Sequence, residues 1–553
     1  MAAVGPRLAR THGRGHHRRV RIFLSGPMGS GKSTLGPALA ERLGARFVDL
    51  DEQVSRRAGR SVADLWAEWG ECAFRALEAD TLEALLDEPD EGTLVLALGG
   101  GTVVSPTLRR RLLRAGMLLT LHAPATVLAE RLDADARRTR PLLADGDPHG
   151  TLQALWAERR DAYAECHGWL DARGPVEKVV RCALEQLVGR PLLVPLGRRS
   201  YRVHFTLGGA RDLRRTLPLE VPWRPGYGGR TVLLVTDERT SELAGPLREH
   251  LRTIAEALHE VVLPRPPRTK TLASVQRIWK TALGAGVDRD ALVVAFGGGA
   301  VGDAAGFAAA TLLRGVDLVQ VPTTLLAMAD SAVGGKTAID LPAGKNLVGA
   351  FHQPVGVLVD ASLLATLPPA ERIAGLAEIV KAAWLRGEPA VTRLEQDAEA
   401  LRAGAPEAVE RAVRMALALK AELVGDDERD TGRRHLLNLG HTFGHALEAA
   451  AGYDALRHGE AVALGLVAAM RVGRSLGAAR ADDERRLVGL LDRLGLPTDP
   501  WARFDGRAAR FLRRDKKRRA GTIRFVVPGA PGRVSLRSVQ LEEALSLADL
   551  PAQ

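Results

Sequence analysis

Residues 20–33 read VRIFLSGPMGSGKS, and this stretch decides the fold of the first third of the chain. Its apolar first half predicts a buried parallel strand, and its glycines predict a turn that opens a helix. Gly26–Ser33 matches the pattern G-x-x-x-x-G-K-[S/T], in which backbone N–H groups at a helix N-terminus surround phosphate oxygens. We expect Lys32 to reach the β- and γ-phosphates of a nucleotide and Ser33 to hold Mg²⁺. The predicted cradle comprises Gly29, Ser30, Gly31, Lys32, Ser33 and Thr34.

Buried strands and amphipathic helices alternate over residues 20–190, which predicts an α/β domain with a parallel sheet. A new set of buried strands follows, so residues 191–365 are predicted to form an α/β Rossmann-like domain. Beyond residue 366 the strand pattern fades and Ala/Leu/Glu/Arg-rich stretches dominate. Residues 366–553 are therefore predicted to form an all-α domain.

The net charge of +11 in 553 residues is concentrated in two short segments. Residues 1–21 hold six Arg and no acidic residue, and residues 513–519, RRDKKRR, carry a net +5. The rest of the chain is balanced, so a nucleic-acid-binding protein is an alternative that depends on these two segments alone. We expect residues 1–19 to be a disordered basic leader. Three Cys exclude a disulfide scaffold, and no apolar run is long enough for a membrane span.

Acidic residues, arginines and glycines accompany the phosphate cradle in a fixed order. The stretches are FVDLD (47–51), ECAFRALE (71–78), LGGGT (98–102), RTRPLL (138–143) and ERRDAY (158–163). Over about 170 residues the chain resembles shikimate kinase. The resemblance implies that residues 20–190 form an α/β P-loop kinase domain of the nucleoside-monophosphate-kinase type. The resemblance implies a shikimate site at Asp51, Arg75, Gly99, Gly100, Gly101 and Arg159. It also implies that Asp49 supports Mg²⁺ and that Arg140 closes on ATP phosphates.

A second Gly-rich turn, FGGGAVGDAAG (296–306), follows a predicted strand and opens a helix, which suits the pyrophosphate of a dinucleotide. Two lysines, Lys336 and Lys345, are predicted to lie in loops beside Gly-Gly and Asn, where they could serve an anion or hydroxyl site.

The helical region holds residues with metal-binding chemistry. Glu378 and Lys381 are spaced i, i+3, His441 and His445 are spaced i, i+4, and His458 follows. One Glu and two His with an open position suit catalytic Zn²⁺. The spacing alone leaves open which two histidines are the ligands.

This second region resembles 3-dehydroquinate synthase over about 350 residues. The resemblance implies Zn²⁺, or alternatively Co²⁺, on Glu378, His441 and His458, with His445 in the active site but off the metal. It implies NAD at Gly297, Gly298, Gly299, Asp303, Thr323, Thr324, Asp330, Lys336, Lys345 and Thr366. It implies a substrate site at Arg314, Asn346, Lys420, Asn438, Lys516 and the neighbouring Asp515 and Lys517. The implied catalytic groups of this region are Lys381, His445, Lys336 and Arg434.

Three positions in the second region depart from the pattern of the 3-dehydroquinate synthase family. Asp430 stands where the family commonly has Glu. Pro267 stands where an acidic residue for the adenosine ribose is expected, and Arg239 stands near an expected Asn. The last two concern the outer nucleotide pocket and put the NAD affinity in question.

The resemblances together imply a bifunctional enzyme that phosphorylates the shikimate 3-hydroxyl with ATP and Mg²⁺. Its second activity would convert 3-deoxy-arabino-heptulosonate 7-phosphate to 3-dehydroquinate with NAD and a metal, releasing phosphate. A cyclase acting on sedoheptulose 7-phosphate is the alternative for the second part. We expect a cytoplasmic enzyme with small-molecule substrates, a homodimer through the second part, and neither nucleic acid nor membrane as a partner.

Overall fold

The computed structural model describes residues 20–89, 92–132, 143, 147–206, 229–342, 344–452, 455–513 and 522–550. The chain forms two compact units: the first comprises residues 1–202 and 221–224, and the second comprises residues 203–220 and 225–553. The basic leader, Arg140 and the segment with Asp515, Lys516 and Lys517 lie outside the described residues. Within those residues, none of the helices combines the length and apolar character that crossing a membrane requires.

The first unit is a five-stranded parallel sheet with helices around it. Its strands are β1 Arg21–Ser25, β2 Arg46–Asp49, β3 Leu94–Ala97, β4 Met117–His122 and β5 Gly168–Asp171, in the order β2-β3-β1-β4-β5. Its helices are α1 Lys32–Leu43, α2 Leu50–Ala58, α3 Val62–Asp87, α4 Pro106–Ala115, α5 Ala125–Glu130, α6 Pro148–Ala164 and α7 Val176–Gly189. This confirms the predicted parallel α/β class for the first part of the chain.

Both faces of this sheet are buried, because β1 alternates its side chains between two apolar clusters. Ile22 and Leu24 pack on the side of α1 and α7, whereas Phe23 packs with α3 on the other side. Burial on both faces explains why the strand reads as one continuous apolar run. The sheet therefore holds the Gly-rich turn after β1 at the edge where the parallel strands end.

Two short strands, β6 Leu192–Val194 and β7 Tyr201–Thr206, follow the first unit's last helix, and the boundary between the units falls within β7. The α/β part of the second unit contains the parallel array β14-β11-β10-β8-β9, with a Gly-rich turn after β10. The strands are β8 Thr231–Asp237, β9 Ala257–Leu263, β10 Leu292–Gly297, β11 Asp317–Pro322 and β14 Gly356–Asp360. The helices are α8 Gly245–Ile254, α9 Leu272–Gly284 and α10 Gly299–Thr311.

The loop prediction for Lys336 and Lys345 was wrong. Both lysines lie on an antiparallel hairpin of β12 Lys336–Leu341 and β13 Gly344–Phe351. Residues of β13 are mostly intermediate or exposed, so the strand has no apolar alternation that the sequence could reveal.

Helices dominate the rest of the second unit. They are α11 Pro369–Arg386, α12 Glu388–Ala403, α13 Pro406–Asp426, α14 His441–Ala450, α15 His458–Ser475, α16 Ala481–Arg493, α17 Gly506–Arg513 and α18 Leu541–Leu547. The helical character is confirmed, but the prediction of an all-α domain needs a correction. Strands β15 Thr522–Pro528 and β16 Val534–Gln540 form a second antiparallel hairpin. Trp384 of α11 donates from Nε1 to the carbonyl of Gly529 in the turn of this hairpin, at 3.0 Å.

Candidate active sites

The phosphate cradle of the first unit forms at the start of α1. Gly29 and Gly31 have positive φ angles of 76° and 89°, a backbone conformation that other residues rarely adopt. Lys32 Nζ donates to the carbonyl oxygens of Gly26 at 2.8 Å and Pro27 at 3.1 Å, so the amine lies over the turn. The N–H groups that open the helix and this ammonium make the turn an anion site.

A cation position lies beside the cradle. Ser33 Oγ donates to Asp49 Oδ2 at 2.8 Å, and the other carboxylate oxygen of Asp49 accepts from the backbone N–H of Asp51 at 3.0 Å. Asp49 is the N-cap of α2, which fixes its carboxylate against Ser33. A hydroxyl and a carboxylate in contact are the oxygen ligands that Mg²⁺ prefers, so the two residues fit this ion.

Asp51 lies in the first turn of α2, at the mouth of the site. Its side chain reaches solvent, yet burial by the surrounding protein, together with the negative charges of Asp49 and Glu78, raises its pKa to about 6. A carboxylate that titrates close to neutral pH suits a group that orients and holds a hydroxyl.

Arg75 is held in place from several sides. Its Nη1 donates to Glu78 Oε2 at 2.9 Å, and its guanidinium carbon lies 5.3 Å from the ring centroids of Trp66 and Phe74. Glu78 is buried and also accepts from Thr102 Oγ1 at 2.7 Å. The predicted site does not include Glu78, although its i, i+3 spacing from Arg75 is a signal for a shared role.

The glycines after β3 form the floor of this site. A Cβ on Gly99 would overlap Glu78 and lie 3.0 Å from Asp51 Oδ1, and a Cβ on Gly101 would lie 2.6 Å from Arg75 Cζ. The carbonyl of Gly100 accepts from Tyr163 Oη at 2.5 Å and Arg159 Nη1 at 3.4 Å. Side chains from α2, α3 and α6 thus converge on one Gly-rich strand end, which brings together all described residues predicted for the shikimate site.

Two cavities flank these residues. One of about 450 Å³ is lined by Asp51, Glu52, Ser55, Arg56 and Val62. Another of about 260 Å³ lies beside the cradle and is lined by Ser30, Gly31, Thr34, Leu35, Leu121, Arg131, Ala172, Gly174, Val176 and Val179.

The Gly-rich turn of the second unit packs tightly after β10. Gly297 accepts from the backbone N–H of Thr323 at 2.9 Å, and a Cβ on Gly298 would lie 3.1 Å from Thr324 Cγ2. A Cβ on Gly299 would lie 2.9 Å from Ser331 Oγ. The buried hydroxyl of Thr323 has no hydrogen-bond partner, so this turn leaves a polar group available to a ligand.

Lys270 connects this turn to the hairpin. Its Nζ lies 2.5 Å from Asp303 Oδ2 in the first turns of α10 and also donates to Asn346 Oδ1 on β13. Burial raises the pKa of Asp303, and the charge of Lys270 opposes that shift. Asp303 and Asn346, assigned to different ligands from sequence, therefore share one partner.

A second polar cluster lies around the turn that precedes β12. Lys420 Nζ donates to Asp330 Oδ1 at 2.6 Å and to its carbonyl at 2.7 Å. The buried Arg434 donates to the carbonyls of Gly334 at 2.9 Å and Glu428 at 2.6 Å. Lys336 forms an ion pair with Asp430.

His435 connects the Lys336–Asp430 pair to Asn438. His435 Nδ1 lies 3.4 Å from Asp430 Oδ1, and Asn438 Nδ2 donates to the His435 carbonyl at 3.2 Å. Asp430, one methylene shorter than the expected Glu, thus reaches both Lys336 and His435.

Glu378, His441 and His458 bring their donor atoms together, all within 4.8 Å of one another. Glu378 Oε1 lies 3.3 Å from His441 Nε2 and 3.5 Å from His458 Nε2. The ring of His445 lies in the same group, 5.2 Å from that of His441 and 6.0 Å from that of His458 by centroids. Lys381 forms a buried ion pair with Glu378 Oε2.

These three residues fit a Zn²⁺ ion. The two carboxylate oxygens of Glu378 are buried and accept no hydrogen bond of good geometry. The carboxylates of Glu378 and Glu448 flank the imidazole of His458, with Glu448 Oε2 at 3.1 Å from Nδ1, so this cluster favours a cation. His441 Nδ1 lies 3.2 Å from the Leu439 carbonyl, which leaves Nε2 for a metal.

Glu448 is a residue that sequence reasoning missed. It accepts from Lys345 Nζ at 2.7 Å and lies 3.1 Å from His458 Nδ1. Its position is seven residues after His441 and three after His445, so the three share one face of α14, and this spacing was the available signal.

Two predicted residues lie at the ends of short helical turns. Arg314 lies in the turn that follows α10, with a φ of 68°. Thr366 Oγ1 donates locally to the Leu363 carbonyl at 3.2 Å, so its role near the nucleotide stays a prediction.

The chain matches known protein families in two regions, and each region holds one of the two candidate sites. Residues 28–187 match the model of shikimate kinase. Residues 260–374 match 3-dehydroquinate synthase N-terminal, and residues 375–518 match 3-dehydroquinate synthase C-terminal.

Individual relatives agree with these matches. A 3-dehydroquinate synthase of Pelobacter propionicus is 42% identical over 65% of this chain and 99% of its own length. A 3-dehydroquinate synthase of Symbiobacterium thermophilum is 47% identical over 61% of this chain and 94% of its own length.

Among solved structures, ValA (2-epi-5-epi-valiolone synthase) from Streptomyces hygroscopicus subsp. jinggangensis 5008, with NAD⁺ and Zn²⁺ bound, is 26% identical. It covers 63% of this chain and 97% of its own, with a TM-score of 0.56. The family matches and the two 3-dehydroquinate synthase relatives do not favour the nucleic-acid-binding or sedoheptulose 7-phosphate cyclase alternatives. The chain belongs to the 3-dehydroquinate synthase family and carries a shikimate kinase domain ahead of its synthase region.

Proposed function

We propose that the chain is a bifunctional enzyme of the shikimate pathway, with an ATP-dependent shikimate kinase in its first unit and a 3-dehydroquinate synthase in its second. The observation that carries the kinase half is the convergence of Lys32, Asp51 and Arg75 at one edge of the parallel sheet. Lys32 neutralises phosphate charge, Asp51 orients the 3-hydroxyl, and Arg75 with Arg159 binds the carboxylate. Ser33 and Asp49 hold Mg²⁺ with the nucleotide.

For the synthase half, the carrying observation is the Glu378–His441–His458 cluster in the same unit as the Gly-rich turn after β10. When bound, NAD accepts and returns a hydride, and Zn²⁺ polarises the substrate hydroxyl. Lys381, Lys420 and Arg434 are buried cations that fit the phosphate and carboxylate of 3-deoxy-arabino-heptulosonate 7-phosphate. His445, Lys336 and Asn438 orient the sugar hydroxyls, and Gly297–Gly299 admit the NAD pyrophosphate.

Two variants of the full-length protein test the two halves separately. Lys32→Ala should abolish ADP release from ATP and shikimate and spare phosphate release from the heptulosonate phosphate with NAD. His458→Ala should have the opposite effect. Loss of both activities in either variant, with both units folded by circular dichroism, would refute the two-site proposal.

The same assay addresses the open alternatives. Sedoheptulose 7-phosphate offered in place of the heptulosonate phosphate should release no phosphate. The NAD concentration for half-maximal rate reports the effect of Pro267 and Arg239 on the outer pocket.

We also propose that the protein acts in the cytoplasm as a homodimer and has neither nucleic acid nor membrane as a partner. The hairpin β12–β13 supports the dimer, because it exposes Leu341, Val348 and Phe351 by 36–40%. Light scattering of the wild type and Val348→Asp tests this. A wild-type monomer, or a dimer that the substitution leaves intact, would contradict the proposed interface.

A further inference from the structure

One buried carboxylate contacts two parts of the synthase site, the metal-binding residues and the hairpin β12–β13. Glu448 lies on α14, and its side chain is 8% exposed. Its Oε1 accepts from Lys345 Nζ on β13 at 2.7 Å, and its Oε2 lies 3.1 Å from His458 Nδ1 at the start of α15. The two carboxylate oxygens of Glu448 therefore contact different elements, Oε1 the strand β13 and Oε2 the helix α15.

The contact with His458 decides which ring nitrogen can bind a metal. A carboxylate next to Nδ1 holds the proton on that nitrogen, so Nε2 presents its lone pair. That Nε2 atom lies 3.5 Å from Glu378 Oε1, inside the donor cluster. Glu448 thus fixes both the tautomer and the ring orientation of one of the three donors.

The contact with Lys345 fixes the hairpin. Lys345 has a side chain that is 39% exposed, and the ion pair with Glu448 restricts its flexible stem. The next residue, Asn346, accepts from Lys270, which also contacts Asp303 on the helix of the Gly-rich turn. The start of β13 is therefore tied on one side to the Gly-rich turn and on the other, through Glu448, to the metal-binding helices.

We propose that Glu448 is a positioning residue for both halves of the synthase site: it holds His458 for the metal and Lys345 for the nucleotide. This proposal rests on the proposed function, which assigns the metal and NAD to these residues. Glutamine cannot replace Glu448, because an amide offers one carbonyl oxygen for two donors. Its NH₂ group would face either the ammonium or the imidazole N–H.

The test uses the full-length enzyme and measures binding as well as rate. Glu448→Gln should weaken Zn²⁺ binding about 10- to 100-fold in competition with a chelator. It should weaken NAD binding about tenfold in calorimetry, since it removes a hydrogen bond to a charged group. The absorption spectrum of the Co²⁺-loaded protein should shift, because the ring of His458 changes orientation.

Glu484→Gln is the matched control. Glu484 is also buried, with 9% of its side chain exposed, and it is shared between Arg471 and Arg474 at 2.8 Å each. The control loses a comparable carboxylate outside the site, so it should leave the metal affinity, NAD affinity and Co²⁺ spectrum within twofold of the wild type.

Lys345→Met separates the two contacts, because it should weaken NAD binding and keep the metal affinity within about threefold. Metal affinity in Glu448→Gln that matches the Glu484→Gln control would overturn the proposal. Weakened metal binding with unchanged NAD binding would overturn its Lys345 half. If Glu448→Gln does not fold, Glu448→Asp provides the same test, since the shorter side chain reaches only one partner. Wild-type protein that binds Zn²⁺ and NAD but releases no phosphate would refute the proposed function and leave the Glu448 result standing.

Discussion

Adding one methyl group at Gly101 tests the substrate site of the kinase unit. A Cβ at this position would lie 2.6 Å from Arg75 Cζ and 2.9 Å from Nη1. Ordinary van der Waals contact begins at about 3.5 Å, so the guanidinium must move by about 1 Å. The φ of Gly101 is −109°, which alanine adopts without strain.

The displaced group is the end of a flexible side chain, so we expect little loss of stability and a large loss of activity. Arg75 would leave its position between Glu78 and the rings of Trp66 and Phe74. A misplacement of about 1 Å in a positioning group can cost about 100-fold in rate. We therefore expect Gly101→Ala to lower kcat/KM for shikimate about 100-fold, or roughly 2.7 kcal/mol.

Coupled measurement of ADP release against shikimate concentration checks this, with Gly189→Ala as the matched control. A Cβ on Gly189, at the end of α7, meets nothing within 4 Å. The control should retain wild-type kcat/KM, and neither variant should affect phosphate release by the synthase unit. A Gly101→Ala enzyme within twofold of the wild type would refute the reasoning that the position of Arg75 limits shikimate use.

Three further expectations concern pH and stability. The kinase kcat/KM for shikimate should fall about tenfold per pH unit below about pH 6. Burial, together with neighbouring negative charges, raises the pKa of Asp51 to about 6, and the ionised form of Asp51 orients the hydroxyl. A pH profile that stays flat to pH 5 would exclude this role. Trp384→Ala should cost about 3–5 kcal/mol in urea unfolding of the second unit. Trp384→Phe loses the bond to the Gly529 carbonyl and only part of the buried ring system, so it should cost less, about 1–3 kcal/mol. Asp330→Asn removes the anionic partner of Lys420, whose side chain is 9% exposed. This substitution should cost about 1–3 kcal/mol in the same urea unfolding measurement. An unchanged unfolding midpoint would show that the ion pair contributes nothing to stability.

Local patterns were sufficient for much of both sites. A strand, a Gly-rich turn and a helix in succession dictate a phosphate cradle, because the backbone N–H groups involved belong to neighbouring residues. In the same way, i, i+3 spacing placed Glu378 with Lys381, and i, i+4 spacing placed His441 with His445, each pair on one helix face.

The errors concern segments whose structure depends on distant partners. The strand at 344–351 lacks a clear apolar alternation, and the strands at 522–528 and 534–540 alternate only over short runs (TIRF and VSLR); both regions form hairpins in the folded chain. A Cβ on Gly473 of α15 would overlap the Pro528 carbonyl, so this glycine permits the close approach of β15. No local propensity encodes such a packing contact.

The sequence by itself determined the two α/β units, the phosphate cradle and the set of residue types available for a metal. Tertiary structure decided which donors converge. Glu378 lies on α11, His441 on α14 and His458 on α15, so the three meet only where these helices pack together. Tertiary structure also decided that Glu448 joins Lys345 to His458, across 103 and 10 residues of chain. Contacts of this kind depend on the close packing of whole elements, and spacing along the chain does not record them.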